Sequence, residues 1–390
     1  MTVSLNHLSD LVRKRVAVAA YYFVPGVVFA SWASRIPDVK QMLNLSNGQL
    51  GTVLFAIPIG QLLMMAFSGV LVSKFGSRKM ILFAEVLYAF VLFCIGSSST
   101  VFQLILSLVA FGMMANLMNI ATNTQACLVE KMYGRNIMSS FHGLWSLGGF
   151  SGGIIGAVFA NTLLPIEAHF GAVLVMSLLI IAIGFRYLVD DATAKAEEED
   201  VPKFSFKTID PILFLLGLMG FAGMFCEGTV YDWSGVYFSS VVKPDEAFIR
   251  AGYVAGMGAM TLGRFLADGF VTKYGPARVL KVCGGLILGG LWLAAALPYL
   301  IPATLGFLLV GFGISSSVPI CYSIAGKLGT IKASIAITIV SSISFFGFLV
   351  GPPVIGWLAE ATGLRIAISI AACLGLMIAF VAAKVGKRIS

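Results

Sequence analysis

Twelve blocks of apolar residues run along the chain, at 16–34, 48–72, 80–97, 101–126, 138–161, 170–188, 211–239, 251–271, 279–298, 302–324, 335–358 and 364–383, with polar segments between them. A helix rising ~1.5 Å per residue crosses the ~30 Å hydrocarbon core in about 20 residues. None of the blocks alternates apolar and polar residues as a barrel strand would, and a lone strand in lipid leaves its backbone groups unpaired. The pattern therefore predicts an all-α polytopic membrane protein with twelve transmembrane helices. The first block follows Arg13, Lys14 and Arg15 as a signal peptide would, but eleven further blocks make it the first membrane helix.

Composition agrees with the pattern: 58% of the 390 residues are hydrophobic and 11% charged, with a mean hydropathy of +0.95. A net charge of +8 would ordinarily suggest an acidic partner such as nucleic acid. The positions of the basic residues give another reason for it. With the N-terminus inside, 20 of the 26 Lys and Arg fall in cytoplasmic segments, five (Arg35, Lys40, Lys243, Arg250, Arg365) fall outside, and Arg264 lies within a span. The positive-inside rule then places both termini in the cytoplasm, and nucleic-acid binding is not expected.

The six cysteines lie in or at the ends of apolar blocks without CxxC spacing, as reduced thiols do, and no metal site or cofactor is expected. Neither a GxxxxGK[ST] nor an HExxH pattern occurs, so the chain does not read as an enzyme.

Shifting the sequence by about 200 residues superimposes its halves. Ser73-Lys-Phe-Gly-Ser-Arg-Lys79 answers Thr272-Lys-Tyr-Gly-Pro-Ala-Arg278, Gly152-Gly-Ile-Ile-Gly156 answers Pro352-Pro-Val-Ile-Gly356, and Ser31-Trp-Ala-Ser34 answers Asp232-Trp-Ser-Gly235. The expected organisation is a six-helix bundle over 1–188, a cytoplasmic linker over 189–210 containing the acidic run 197–200, and a second six-helix bundle over 211–390.

Gly69-Val-Leu-Val-Ser-Lys-Phe-Gly-Ser-Arg-Lys79 resembles the basic loop motif G-x-L-A-D-R-x-G-R-R of the major facilitator superfamily, with Ser73 where the family has aspartate. Ser31-Trp-Ala-Ser-Arg-Ile-Pro37, Asn123-Thr-Gln125 before Glu130, and His142-Gly-Leu-Trp-Ser-Leu-Gly-Gly149 resemble the MosC and YbjJ-like subgroup of bacterial facilitators. The resemblance implies two pseudo-symmetric six-helix bundles and alternating access to a small-molecule substrate. The chain is expected to work as a monomer in the lipid bilayer.

Charges within the spans are the candidate chemistry, because an ionised group in hydrocarbon needs a partner, a proton or water. Glu227, about 24 Å along the seventh span at ~1.5 Å per residue, is the midplane candidate for proton coupling. Asp232 and His142 are the others, although Asp232 would also suit the cap of a bent helix, and His142 would also suit a bond to a nearby carbonyl. Arg264 and Asp268, at i,i+4, form a candidate gate clasp that closes the cytoplasmic side, and Glu85, Lys74 and Arg78 join the gate candidates. Asn116, Asn119 and Asn123 share one helical face and read either as interhelical glue or as a substrate-binding stripe, with Tyr21, Tyr22, Trp145, Phe345 and Phe346 as aromatic walls. The leading expectation is a proton-coupled symporter of a small polar solute. The alternatives are a proton-coupled antiporter exporting drugs or metabolites, and a non-transporting sensor or scaffold.

Overall fold

The computed structural model describes residues 5–134, 137–162, 164–190, 210–328 and 333–389. The acidic run 197–200 and most of the expected linker lie outside the described residues. Within them the helices are α1 (Leu5–Met42), α2 (Asn47–Leu54), α3 (Ala56–Phe75), α4 (Ser77–Gly96), α5 (Val101–Tyr133), α6 (Met138–Ala160), α7 (Ile166–Phe185), α8 (Pro211–Gly228), α9 (Ser234–Tyr237), α10 (Ala251–Tyr274), α11 (Pro276–Ala296), α12 (Leu300–Lys327), α13 (Ala333–Thr362) and α14 (Leu364–Ile389). Every expected span is occupied by helix. Eleven helical stretches among the described residues are long and apolar enough to cross a membrane. The eighth span, α10, which carries Arg264 and Asp268, is not one of them.

Local chemistry explains where the helices begin, end and break. Ser46 and Gln49 form a reciprocal capping box on α2, and Thr100 accepts from the Gln103 N–H at the start of α5. Asp210 caps α8, with Pro211 in its first turn, where no amide donor is needed. Glu130, near the end of α5, accepts from the backbone N–H groups of Ile137 and Met138, each at 2.7 Å, and so satisfies two donors at the start of α6. The second span divides at Phe55 into α2 and α3, and Pro58, lacking an N–H to bond back, falls in the first turn of α3. The seventh span is also irregular. After Gly228 it passes through two π-helical turns, Thr229–Trp233 and Phe238–Val242, with α9 between them.

The chain divides into two compact units, one of Met1–Arg35 with Ala56–Glu198 and one of Ile36–Phe55 with Glu199–Ser390. In the first unit α3 and α5 meet on glycine: a methyl group added at Gly60 would sit 2.0 Å from the Val109 carbonyl oxygen, and one at Gly112 would sit 2.0 Å from that of Ile57. Only small residues allow backbones to approach so closely. The second unit repeats the device between α10 and α12, where a Cβ at Gly311 would lie 2.1 Å from the Gly256 carbonyl oxygen. Internal symmetry also extends to backbone torsions. Gly76 (φ 84°, ψ 146°) joins α3 to α4, and Gly275 (φ 78°, ψ 153°) joins α10 to α11. Positive φ at both turns explains the glycine in each basic loop.

The second unit also holds the corner between the first two spans, residues 36–55. There α2 lies on α13: Gly48 N–H donates to Glu360 Oε2 at 3.0 Å, and Trp357 Nε1 donates to Thr52 Oγ1 at 3.2 Å. Gly51 and Gly356 form the contact itself, since a Cβ on Gly356 would lie 2.7 Å from the Gly51 Cα. Buried Arg250, just before α10, forms an ion pair with Asp38.

Candidate functional site

Glu227 lies at the end of α8, two residues before the first π-helical turn, and its residue is 8% exposed. Arg264, on α10, donates from Nη2 to Glu227 Oε1 at 3.1 Å. Tyr231 is four residues beyond Glu227 on the same helix, and its hydroxyl donates to the same oxygen at 3.0 Å. One carboxylate oxygen therefore takes a guanidinium and a phenol at once, a charge-assisted arrangement that offsets the cost of burying the acid. Arg264 was expected to clasp Asp268. The structure gives it a partner on α8, and the side chain of Asp268 lies outside the described residues.

Asp232 lies inside the π-helical turn and is 6% exposed. No hydrogen bond or ion pair from a described residue reaches its carboxyl, so the helix-capping reading finds no bond in support. Its electrostatic neighbour is Tyr253 on α10, whose hydroxyl is buried with no hydrogen-bond partner among the described residues, as is the indole N–H of Trp233. π-Helical turns of this kind recur at functional sites because they redirect side chains within a helix.

A second polar group is built in the other unit. The Tyr22 hydroxyl on α1 donates to Asn123 Oδ1 on α5 at 2.6 Å. The Asn123 amide donates onward to the backbone oxygen of Asn119 at 2.8 Å and to its Oδ1 at 2.5 Å. His142 on α6 stands edge-on to Tyr22 with ring centroids 5.2 Å apart, and Phe141 stacks on Tyr22 at 5.5 Å. Asn119 is exposed, and no described residue engages its side-chain N–H donors, which leaves two hydrogens for an oxygen-bearing ligand.

The amide stripe of α5 divides in its partners. Asn116 accepts from Ser68 Oγ on α3 at 2.7 Å, while Gln125 donates to Ser77 Oγ and to the Val189 carbonyl, both at 2.8 Å. Both amides tie helices together. Tyr21 is fully buried and donates to the Ile181 carbonyl on α7 at 2.9 Å. Trp145 lies 6.4 Å from Phe29, Phe346 lies 6.4 Å from Phe221, and Phe345 stacks on Phe348 at 6.4 Å. Arg78 reaches the Phe185 carbonyl at 3.4 Å and Asp190 at 3.5 Å, and Lys74 lies over the ring of Phe75. Glu85 is inside the first unit, 1% exposed.

Tyr231, Ser68 and Phe141 are contributors that sequence reasoning did not single out. Only the first left a signal, in its i,i+4 spacing from Glu227.

A sequence model of the Major Facilitator Superfamily matches residues 17–333. The chain belongs to the Major Facilitator Superfamily. It is 32% identical to an uncharacterised MFS-type transporter of Yersinia pestis over 376 residues, 95% of each chain. It is 30% identical to the membrane protein MosC of Rhizobium meliloti over 371 residues, 93% of this chain and 88% of that one. The crystal structure of a D-xylose-proton symporter superimposes with a TM-score of 0.75 at 14% identity, covering 95% of this chain and 96% of that chain. That last likeness is one of fold. As a member of this superfamily the chain is a multi-pass membrane transporter.

Proposed function

We propose that this facilitator is a proton-coupled symporter that moves a small polar solute across the bacterial inner membrane by alternating access, both termini being cytoplasmic. The single observation that carries the reading is the shared oxygen of Glu227. Ionised, Glu227 holds Arg264 and Tyr231. Protonated, it loses the charge that holds Arg264, and the guanidinium is left to seek another oxygen. A solute carrying hydroxyl or carboxylate oxygens supplies one, so proton and solute load together. Asp232, one turn further along the same distorted helix, is a second carboxyl for the same proton path.

Tyr22, Asn119 and Asn123 form the polar wall that reads the solute, because amides and a phenol both donate and accept. His142, against the Tyr22 ring, is a further candidate for the proton path. A lipophilic cation would find no anionic partner in this wall, so a hydrophilic solute fits it better.

Labelled sugars, polyols and small acids offered to proteoliposomes under an imposed pH gradient test the reading. Accumulation of one of them driven by inward proton movement supports symport. Accumulation driven by outward proton movement makes the chain an antiporter.

A further inference from the structure

Glu85 has no part in the site around Glu227. It lies in α4, and neither carboxyl oxygen has a hydrogen-bond partner among the described residues. Its surroundings are closed. The Gly96–Phe170 contact at one end and the Arg78–Phe185 bond at the other set α4 antiparallel to α7, which brings Glu85 level with the stretch around Ile181. The same stretch receives the Tyr21 hydroxyl from α1, and the Tyr21 ring lies against Gly184, where an added Cβ would come within 2.9 Å. Tyr21 is also an electrostatic neighbour of Glu85. One turn away on α7, the Ser177 hydroxyl is buried and likewise lacks a partner. From α5 the layer receives the ring of Phe111, stacked 4.0 Å from Tyr88.

The charged or titratable groups facing this layer are few. Tyr21 comes from α1, Tyr88 from α4 itself, and Arg78, at the start of α4, is engaged with Phe185 and Asp190. No Lys, Arg or His among the described residues forms an ion pair or hydrogen bond with Glu85. A bare carboxylate in such a place is far more costly than a neutral acid.

We propose that Glu85 is a proton-binding site within the first unit, carrying its proton at neutral pH in the layer formed by α1, α4 and α7. The site is independent of the proton path assigned to Glu227. The two units thus hold acids in opposite surroundings, one bonded to an arginine and a tyrosine, the other enclosed without a hydrogen-bond partner among the described residues.

Infrared spectroscopy of the full chain in lipid at neutral pH reads the proton directly. The difference spectrum of wild type against Glu85→Gln is expected to contain the C=O band of a protonated carboxyl, shifted after equilibration in D₂O. A difference showing carboxylate bands instead, or no carboxyl band, overturns the proposal. Should Glu85→Gln fail to accumulate as folded protein, Glu85→Met serves in its place, since a neutral layer tolerates an apolar side chain of similar length. Glu227→Gln is expected to leave the band unchanged. Its disappearance in that variant would assign the proton elsewhere and equally overturn the proposal.

Discussion

Arg264 and Glu227 lie 3.1 Å apart, on α10 and α8, and the pair is largely shielded from solvent, with side-chain exposures of 25% and 10%. Removing one member strands the other. Arg264→Ala is expected to destabilise the protein by about 3 kcal/mol, and Arg264→Ala combined with Glu227→Gln by clearly less. Tyr231→Phe, which removes one bond to a charged oxygen, should cost about 1.5 kcal/mol. Chemical unfolding in detergent, analysed as a double-mutant cycle, measures the coupling; simple additivity would mean the pair is not energetically joined.

The glycine contact of α2 with α13 leaves no room for a side chain. Gly356→Val is expected to cost about 1–3 kcal/mol through overpacking against Gly51 and Asn47. Gly289 is a matched control in α11, since an added Cβ there meets nothing within 4 Å. Gly289→Ala should stabilise by about 0.5–1 kcal/mol through helix propensity. Melting temperatures of the two variants should therefore move in opposite directions.

Buried Arg250 paired with Asp38 predicts a charge-swap result. Asp38→Lys alone sets two cations together and should cost about 2 kcal/mol, a figure lowered because the Asp38 side chain keeps 30% exposure. Adding Arg250→Glu should return most of that loss. Failure of the double swap to recover stability would show that other contacts at this corner set its energy.

Asn119 and Asn116 share a helix face but separate in their partners. Asn119→Ala should leave stability nearly unchanged and weaken solute uptake about tenfold, as loss of one or two hydrogen bonds does. Asn116→Ala should do the reverse, costing about 0.5–1 kcal/mol through loss of the bond between helices while transport persists, since the Ser68 hydroxyl keeps the Met64 carbonyl as acceptor. Paired melting and uptake assays decide between the two roles.

The helices were legible because burial in lipid leaves a long apolar record, and the repeat because both halves kept glycine at positions 76 and 275. What was not legible depends on which helices touch. The i,i+4 spacing of Arg264 and Asp268 can be read along one helix, but the bond from Arg264 to Glu227, 37 positions away in sequence, cannot. The face shared by Asn116, Asn119 and Asn123 was visible as a period, but periodicity does not say that Ser68 of α3 meets the first and Tyr22 of α1 the last. The π-helical turns around Asp232 left only the length of the seventh span as a hint. Glu85 stood out as a lone charge in an apolar run, but nothing in its flanking sequence distinguished a gate residue from an enclosed acid.

Proton movement coupled to solute is the most direct test of the account. Proteoliposomes in lightly buffered medium, given the solute found in the uptake screen, should alkalinise the outside with wild-type protein. With Glu227→Gln they should not, while solute exchange across the membrane continues at equal pH. If the Gln variant still drew protons in with its solute, Glu227 would not be the coupling residue and the account would fail.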